Sequence, residues 1–370
     1  MTSVPPSSAS HRIPELDGWR AISVLLVVFS HLISNRYLDS IQHVSPKLAS
    51  IAYFSASLGP RVFFVISGFV ICRLLVLEEA KYGSISRTAF YYRRALRILP
   101  PLLTYLSAIS LLKMAGMIYQ SRSGLVYAGL FLLDLPGLPR DWFVGHTWSL
   151  AVEEQFYLVF PTAWVLIPSR MRSRAVVCAF LFCCILATEG FHDMGMLLQS
   201  VAGIAVGVWL ALNESRARVI AARVPGVAIA AVCLILLVVP ADSPTQRTLL
   251  ALYRALVMPP AIGLVLIYSL ERGQRLRMIL CSKPMQAIGL TSYAVYLWQE
   301  LFTGDASKYT ANGLVLRDLL PVLLVLIPLS YYGLERPAMK LGRFLSQRAR
   351  GAAPLSASDL PNGIAAPSDG

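Results

Sequence analysis

At 370 residues, 56% hydrophobic and only 14% charged, with a mean hydropathy of +0.61, the chain carries more apolar surface than a soluble domain of this size can bury. This excludes an ordinary soluble enzyme or binding module and predicts an all-α, polytopic bundle of transmembrane helices. The net charge of +13 excludes less. Its basic residues gather at the ends of apolar stretches, where the positive-inside bias accounts for them without a nucleic-acid partner.

In chain order, residues 1–12 are polar with few positive charges and show no small-residue cleavage site, so no cleavable signal peptide and a disordered tail are expected. Apolar stretches long enough to span follow near 16–34, 56–77, 98–118, 148–168, 175–191, 194–213, 224–240, 249–270, 284–303 and 317–334. A further stretch at 124–136 is too short to cross and reads as re-entrant or interfacial. The loop arginines and lysines decide the topology. Clusters at 78–97, 170–174, 216–223 and 272–283 all belong in the cytoplasm, and they can share that side only if 124–136 does not cross. Ten spans with both termini cytoplasmic result. The transmembrane domain covers 13–343, and 344–370, rich in Ser, Pro, Ala and Gly, reads as a disordered tail.

The first stretch, LDGWRAISVLLVVFSHLI, holds two ionisable residues, each costing about 2.5–3.5 kcal/mol to insert and therefore candidates for function. Arg20 and His31 are eleven residues apart, within roughly 20° of three whole turns, so they share a helix face about 16 Å apart along the axis. A fixed cation lies near one end and a titratable imidazole lies deep inside. Neutral imidazole is the usual general base for a hydroxyl nucleophile.

Arg61, in GPRVFFVISGF, opens the second stretch and is a candidate to hold an anionic group or to pair with Glu153. In FYYRRALRILPP, Arg94 and Arg97 project from one helix face at the mouth of the third stretch, where they could clamp the phosphates of a nucleotide-bearing donor. HTWSLAVEEQFYLVFP begins the fourth. Trp148 and Ser149 stand at its start, Ser149 as a candidate N-cap, and Glu153 and Glu154 point about 100° apart, so only one faces the interior squarely. Glu153 is the candidate orienter of His31. Late in the chain, GLTSYAVYLWQELF places Tyr293, Tyr296 and Trp298 beside Gln299 and Glu300, an aromatic face suited to an interface or a sugar.

Six cysteines fall in apolar stretches without metal-ligand spacing, and no metal is expected. GxSxG, P-loop and HExxH patterns are absent, as is His followed four residues later by Asp.

Taken together, LDGWRAISVLLVVFSH, RVFFVISGFVI, YYRRALRILP, HTWSLAVEEQFYLVFP, SYAVYLWQ and LERPAMKLGR, in this order from 16 to 343, resemble acyltransferase family 3, integral membrane O-acyltransferases of bacterial glycans. The resemblance implies an acyl-CoA donor, usually acetyl-CoA, a carbohydrate or lipid-linked glycan hydroxyl as acceptor, and a home in the inner (cytoplasmic) membrane. It matches Arg20 and His31 to the family's arginine–histidine pair, Arg94 and Arg97 to its Arg-x-x-Arg motif, and Glu153 to the glutamate of its WSLxxEEQFY string. Arg61 stands where Asp is frequent, and Gln299 where His often follows the YLW string. Arg61, Trp148 and Tyr296 are then expected to support substrate or structure, with Arg20, Arg94 and Arg97 on the donor and His31 and Glu153 in catalysis. The competing reading is a transporter or flippase of a glycan or acylated metabolite, although paired Gly/Pro-broken spans in two matching halves are not evident.

Overall fold

The computed structural model describes residues 13–37, 43, 45, 58–188, 195–238, 250 and 252–351. Both outer tails (1–12 and 352–370), His11 and His192 lie outside the described residues. Among those described the structure is helical throughout, with one isolated antiparallel bridge between Ile118 and Tyr309.

Helix α1 (Pro14–Leu32) starts with proline in its first turn beside Glu15 and Asp17, so the ring and the acidic groups suit the positive end of the dipole. It runs into a π-helical turn, Ile33–Tyr37, that begins two residues after His31. The rest of the bundle comprises α2 (Leu58–Tyr82), α3 (Arg87–Met114), α4 (Arg122–Gly129), α5 (Trp148–Leu166), α6 (Ser169–Thr188), α7 (Gly195–Leu212), α8 (Glu214–Arg223) and α9 (Gly226–Val238). Beyond them lie α10 (Met258–Glu271), α11 (Gln274–Leu280), α12 (Lys283–Leu290), α13 (Ser292–Trp298), α14 (Glu300–Thr303), α15 (Leu323–Ser330) and α16 (Arg336–Arg348).

Five helices are long and apolar enough to cross a membrane, and up to seven if two bent helix pairs each count as one span. The chain is therefore a multi-pass membrane protein. Several of the ten expected stretches differ for local reasons. Near 284–303 the helix breaks into α12, α13 and α14, and α5 dilutes its hydropathy with two glutamates and a glutamine. The pair that contains α9 bends by 104°, and the pair near 311–348 by 57°. Helix α4 has 8 residues and rises about 12 Å, well short of a bilayer core of about 30 Å. Helix α16 continues to Arg348, past the expected boundary at 343, and Arg350 reaches Glu78 on α2.

The core of the bundle is α1 packed on α2 and α12, with α2 packed on α7. Two glycines set the α2–α7 distance. A Cβ on Gly68 would collide with the carbonyl of Ile204, and one on Gly207 with the backbone of Val65 and Phe69. Gly203 and Gly207 form a small-xxx-small ridge that lets the backbones touch. This contact fixes the α2 residues Arg61, Phe63, Phe64 and Ser67, which line cavities beside α1. Two arginines of the basic clusters make structural contacts: Arg172 grips Glu79 through two bonds of 2.6 and 3.0 Å and covers Trp164, and Arg93 pairs with Glu78 at 3.0 Å.

Candidate functional site

Three cavities follow one face of α1. Arg20 lines the first, of about 50 Å³, with Ser67, Arg94, Arg97, Glu153 and Tyr157. Val24 and Val27 line the second, of about 40 Å³, and His31 the third, of about 430 Å³. Residues 20, 24, 27 and 31 are the i, i+4, i+7, i+11 positions of a single stripe. Phe63, Leu150, Glu153 and Tyr293 wall both the first and second cavities, and Pro60 and Phe64 both the second and third. The eleven-residue spacing thus corresponds to a chain of adjoining cavities about 16 Å long.

At the arginine end, three guanidiniums from two helices converge. Arg20 bonds Asp17 at 3.2 Å and feels the charges of Arg97 and Glu153. The Arg94 guanidinium lies 5.3 Å from the centre of the Tyr157 ring, a ring whose hydroxyl meets Ser67 Oγ at 2.6 Å. Arg93, adjacent in sequence, turns away to Glu78 and Ser346. Of the adjacent glutamates, Glu153 lines the arginine cavity and Glu154 a separate one of about 420 Å³ with Arg94 and Gln155. Three guanidiniums and the Glu153 carboxylate line this cavity, and Asp17 pairs with Arg20 beside it.

At the other end His31 Nδ1 lies 2.7 Å from Glu300 Oε2 and 3.1 Å from Gln299 Oε1. Both oxygens only accept, so Nδ1 carries the proton, and in the neutral ring the lone pair is on Nε2. Gln299 Nε2 donates to the same Glu300 Oε2 at 2.9 Å, and Thr303 Oγ1 to Gln299 Oε1 at 3.2 Å. The carboxylate side chain is 3% exposed and the imidazole 24%. A buried, braced carboxylate therefore holds an imidazole that faces a cavity. Trp142 packs edge-on against His31 with centroids 5.3 Å apart, and its Nε1 donates to the backbone oxygen of Glu300 at 3.0 Å. Asn35, in the π-turn, donates to the His31 carbonyl at 2.6 Å.

This corrects two expected pairings. The carboxylate that meets His31 is Glu300, not Glu153, which lines the arginine cavity instead. Arg61 does not pair with Glu153: its Nη2 donates to Gln199 at 2.9 Å, and it lines the His31 cavity with Trp148. Ser149 is not an N-cap. The cap position is Thr147, and Ser149 Oγ meets the Tyr296 hydroxyl at 2.9 Å. Tyr296 lines the middle cavity with its ring against His146 and its hydroxyl on the His146 carbonyl, while Trp298 packs on Tyr105. The indoles at the His31 cavity are Trp142 and Trp148.

Sequence reasoning gave no role to Glu300, Trp142, His146 or Arg254. His146 is buried, with Nδ1 3.7 Å from the second oxygen of Glu300. Glu300 carried a signal, as an acid inside an apolar stretch directly after the position where His is frequent.

The multi-pass helical bundle thus carries a cationic pocket at one end of a helix face and a carboxylate-braced imidazole at the other. A family model described as an acyltransferase domain matches residues 13–333, and the chain belongs to this family, acyltransferase family 3. Over 369 residues it is 24% identical to the O-acetyltransferase OatA of Staphylococcus aureus (strain NCTC 8325 / PS 47), covering 89% of this chain and 58% of that protein. It is 31% identical over 182 residues to a candidate O-acetyltransferase of Staphylococcus aureus (strain COL), covering 46% of this chain and 27% of that protein. The chain therefore spans little more than half of the one relative and about a quarter of the other. No solved structure matches.

Proposed function

We propose that the protein is an O-acetyltransferase that moves an acetyl group from acetyl-CoA to a hydroxyl of a cell-surface or secreted carbohydrate in the bacterial cytoplasmic membrane. The observation that carries this reading is the row of adjoining cavities from three arginines to the His31–Glu300 pair. Arg20, Arg94 and Arg97 bind the donor's phosphates, a task suited to guanidinium clusters. The donor arm runs along the Val24–Val27 face toward His31. His31 Nε2 takes the proton of the acceptor hydroxyl, whose oxygen attacks the thioester carbonyl. The C–O bond forms, the C–S bond breaks, and the thiolate leaves with the proton that His31 returns. Glu300 holds the Nδ1 proton and balances the charge on the ring, and Glu153 offsets part of the charge in the arginine cavity. Ten spans with cytoplasmic termini fit this scheme, since they put Arg20, Arg94 and Arg97 at the face where acetyl-CoA is found. The short α4 fits a segment at 124–136 that does not cross.

The test uses purified full-length protein in nanodiscs with radiolabelled acetyl-CoA and glycans extracted from a strain lacking the chain. Label moves to glycan with the wild type and does not with His31→Ala at equal folded yield. Transfer at the wild-type rate by His31→Ala overturns the mechanism, and uptake of label or glycan without ester formation supports transport instead.

A further inference from the structure

Glu300 braces His31 through Oε2, and its other oxygen faces a second imidazole. His146, two residues ahead of α5, has Nδ1 3.7 Å from Glu300 Oε1. Its side chain is 2% exposed, and neither ring nitrogen has a hydrogen-bond partner among the described residues. Folded proteins rarely bury a polar group in this way, because its lost hydration goes uncompensated. The ring is nonetheless firmly placed. Tyr105 and Tyr296 meet it edge-on, with centroids 5.7 and 5.0 Å away, and the Tyr296 hydroxyl donates to the His146 carbonyl. The Tyr105 hydroxyl donates to the Phe143 carbonyl at 2.6 Å instead of to the ring. Gln299 Nε2 supports Glu300 Oε2 at 2.9 Å, whereas the polar group set against Oε1 is His146.

We propose that His146 is a positioning residue for acyl transfer: its Nδ1–H donates to Glu300 Oε1 in the reacting complex and keeps Oε2 turned toward His31. The inference rests on the acyl-transfer reading and adds a member to its machinery. Closing 3.7 Å to the ordinary range of about 2.7–3.2 Å takes a movement of less than about 1 Å. Hydrogen bonds of this kind are commonly long before substrate binds and tighten in the reacting complex. Held at both oxygens, the carboxylate keeps its direction when His31 takes up the acceptor's proton and the ring becomes a cation. Released at Oε1, it loses that fixed direction, and with it part of the stabilisation of the protonated ring.

The experiment measures steady-state transfer of radiolabelled acetyl by full-length protein in nanodiscs, compared at equal folded yield. His146→Phe keeps a flat ring between the two tyrosines and removes both nitrogens, whereas His146→Asn leaves an amide nitrogen near the place of Nδ1. Each is made alone and together with Glu300→Gln. His146→Phe is expected to lower kcat about tenfold, the loss of one hydrogen bond to a charged group, with the KM for acetyl-CoA within about twofold of wild type. His146→Asn recovers most of that rate. In the Glu300→Gln background His146→Phe costs less than about twofold, because the charge through which it acts is already gone. An unchanged kcat in His146→Phe overturns the proposal, and so does an equal tenfold loss in both backgrounds. A loss that His146→Asn does not relieve, together with lower thermal stability, also overturns it and places His146 in the fold alone. Absence of transfer by the wild type is a different failure, that of the acyl-transfer reading itself.

Discussion

Replacing Glu300 with Gln isolates the work done by one carboxylate. The change keeps side-chain volume, and it spares the Trp142 bond, which ends on the backbone oxygen of residue 300. It removes the charge from a group that is 3% exposed and 2.7 Å from His31 Nδ1. A hydrogen bond to a charged partner contributes about 1.5–3 kcal/mol, and each 1.36 kcal/mol of transition-state stabilisation is about tenfold in rate. When His31 takes up a proton the lost carboxylate charge counts in full, so kcat should fall roughly ten- to 150-fold. The arginine end lies about 16 Å away along α1, beyond the distance at which independent sites couple, so the KM for acetyl-CoA should stay within about twofold. Glu300→Asp restores the charge at a shorter reach and should recover part of the rate. The assay is steady-state transfer of radiolabelled acetyl in nanodiscs, with gel-filtration elution and thermal stability as folding controls. A Glu300→Gln enzyme with wild-type kcat refutes the assignment of Glu300 as the residue that positions His31. A fall in kcat that Glu300→Asp does not relieve, accompanied by lower thermal stability, would place Glu300 in the fold alone.

Two other substitutions test the rest of the route. Val24→Phe fills the middle cavity of about 40 Å³ and should abolish transfer while calorimetric binding of CoA persists, at an overpacking cost of about 1–3 kcal/mol in stability. Normal transfer by a folded Val24→Phe protein would rule out passage along this face. Arg97→Gln should raise the KM for acetyl-CoA about tenfold yet leave the rate with S-acetylpantetheine, which lacks the nucleotide phosphates, unchanged; an equal loss with both donors would contradict phosphate binding.

The sequence reveals this site best where a single helix carries it. Arg20 and His31 lie on one regular helix, so spacing alone predicts their shared face, and the cavities follow that face. Arg94 and Arg97 are legible for the same reason. The partner of His31 is not, because it comes from 268 or more residues further along, on a different helix. Periodicity treats 284–303 as one span and gives no direction for Glu300. Glu153 appears as the partner because a carboxylate in a helix crossing the same depth is a reasonable mate for a buried imidazole. In the structure it faces the arginines, one cavity away. Arg254 stays hidden because a lone arginine in an apolar stretch resembles an ordinary topogenic charge until the fold sets it beside Arg61.

The narrowness of the first two cavities has a mechanical consequence for acyl transfer. At about 50 and 40 Å³ they hold only a few water-sized groups, so a donor arm passing from Arg20 to His31 must displace side chains. The walls are not equally able to give way. On one side α2 is locked against α7 by backbone contact at Gly68 and Gly207, where no shift is possible without separating the helices. On the other, Tyr293 and Tyr296 stand on the 7-residue helix α13, which joins α12 at one break and α14 at another. The Tyr293 hydroxyl is tied to the Ile98 carbonyl, and the Tyr296 hydroxyl to the His146 carbonyl and Ser149. On the proposed route, entry of the arm would shift α13 rather than α2. The same helix leads directly into Gln299 and Glu300. The Glu300 brace on His31 is formed, at 2.7 Å, while the Tyr293 and Tyr296 ties are closed, so it precedes entry of the arm.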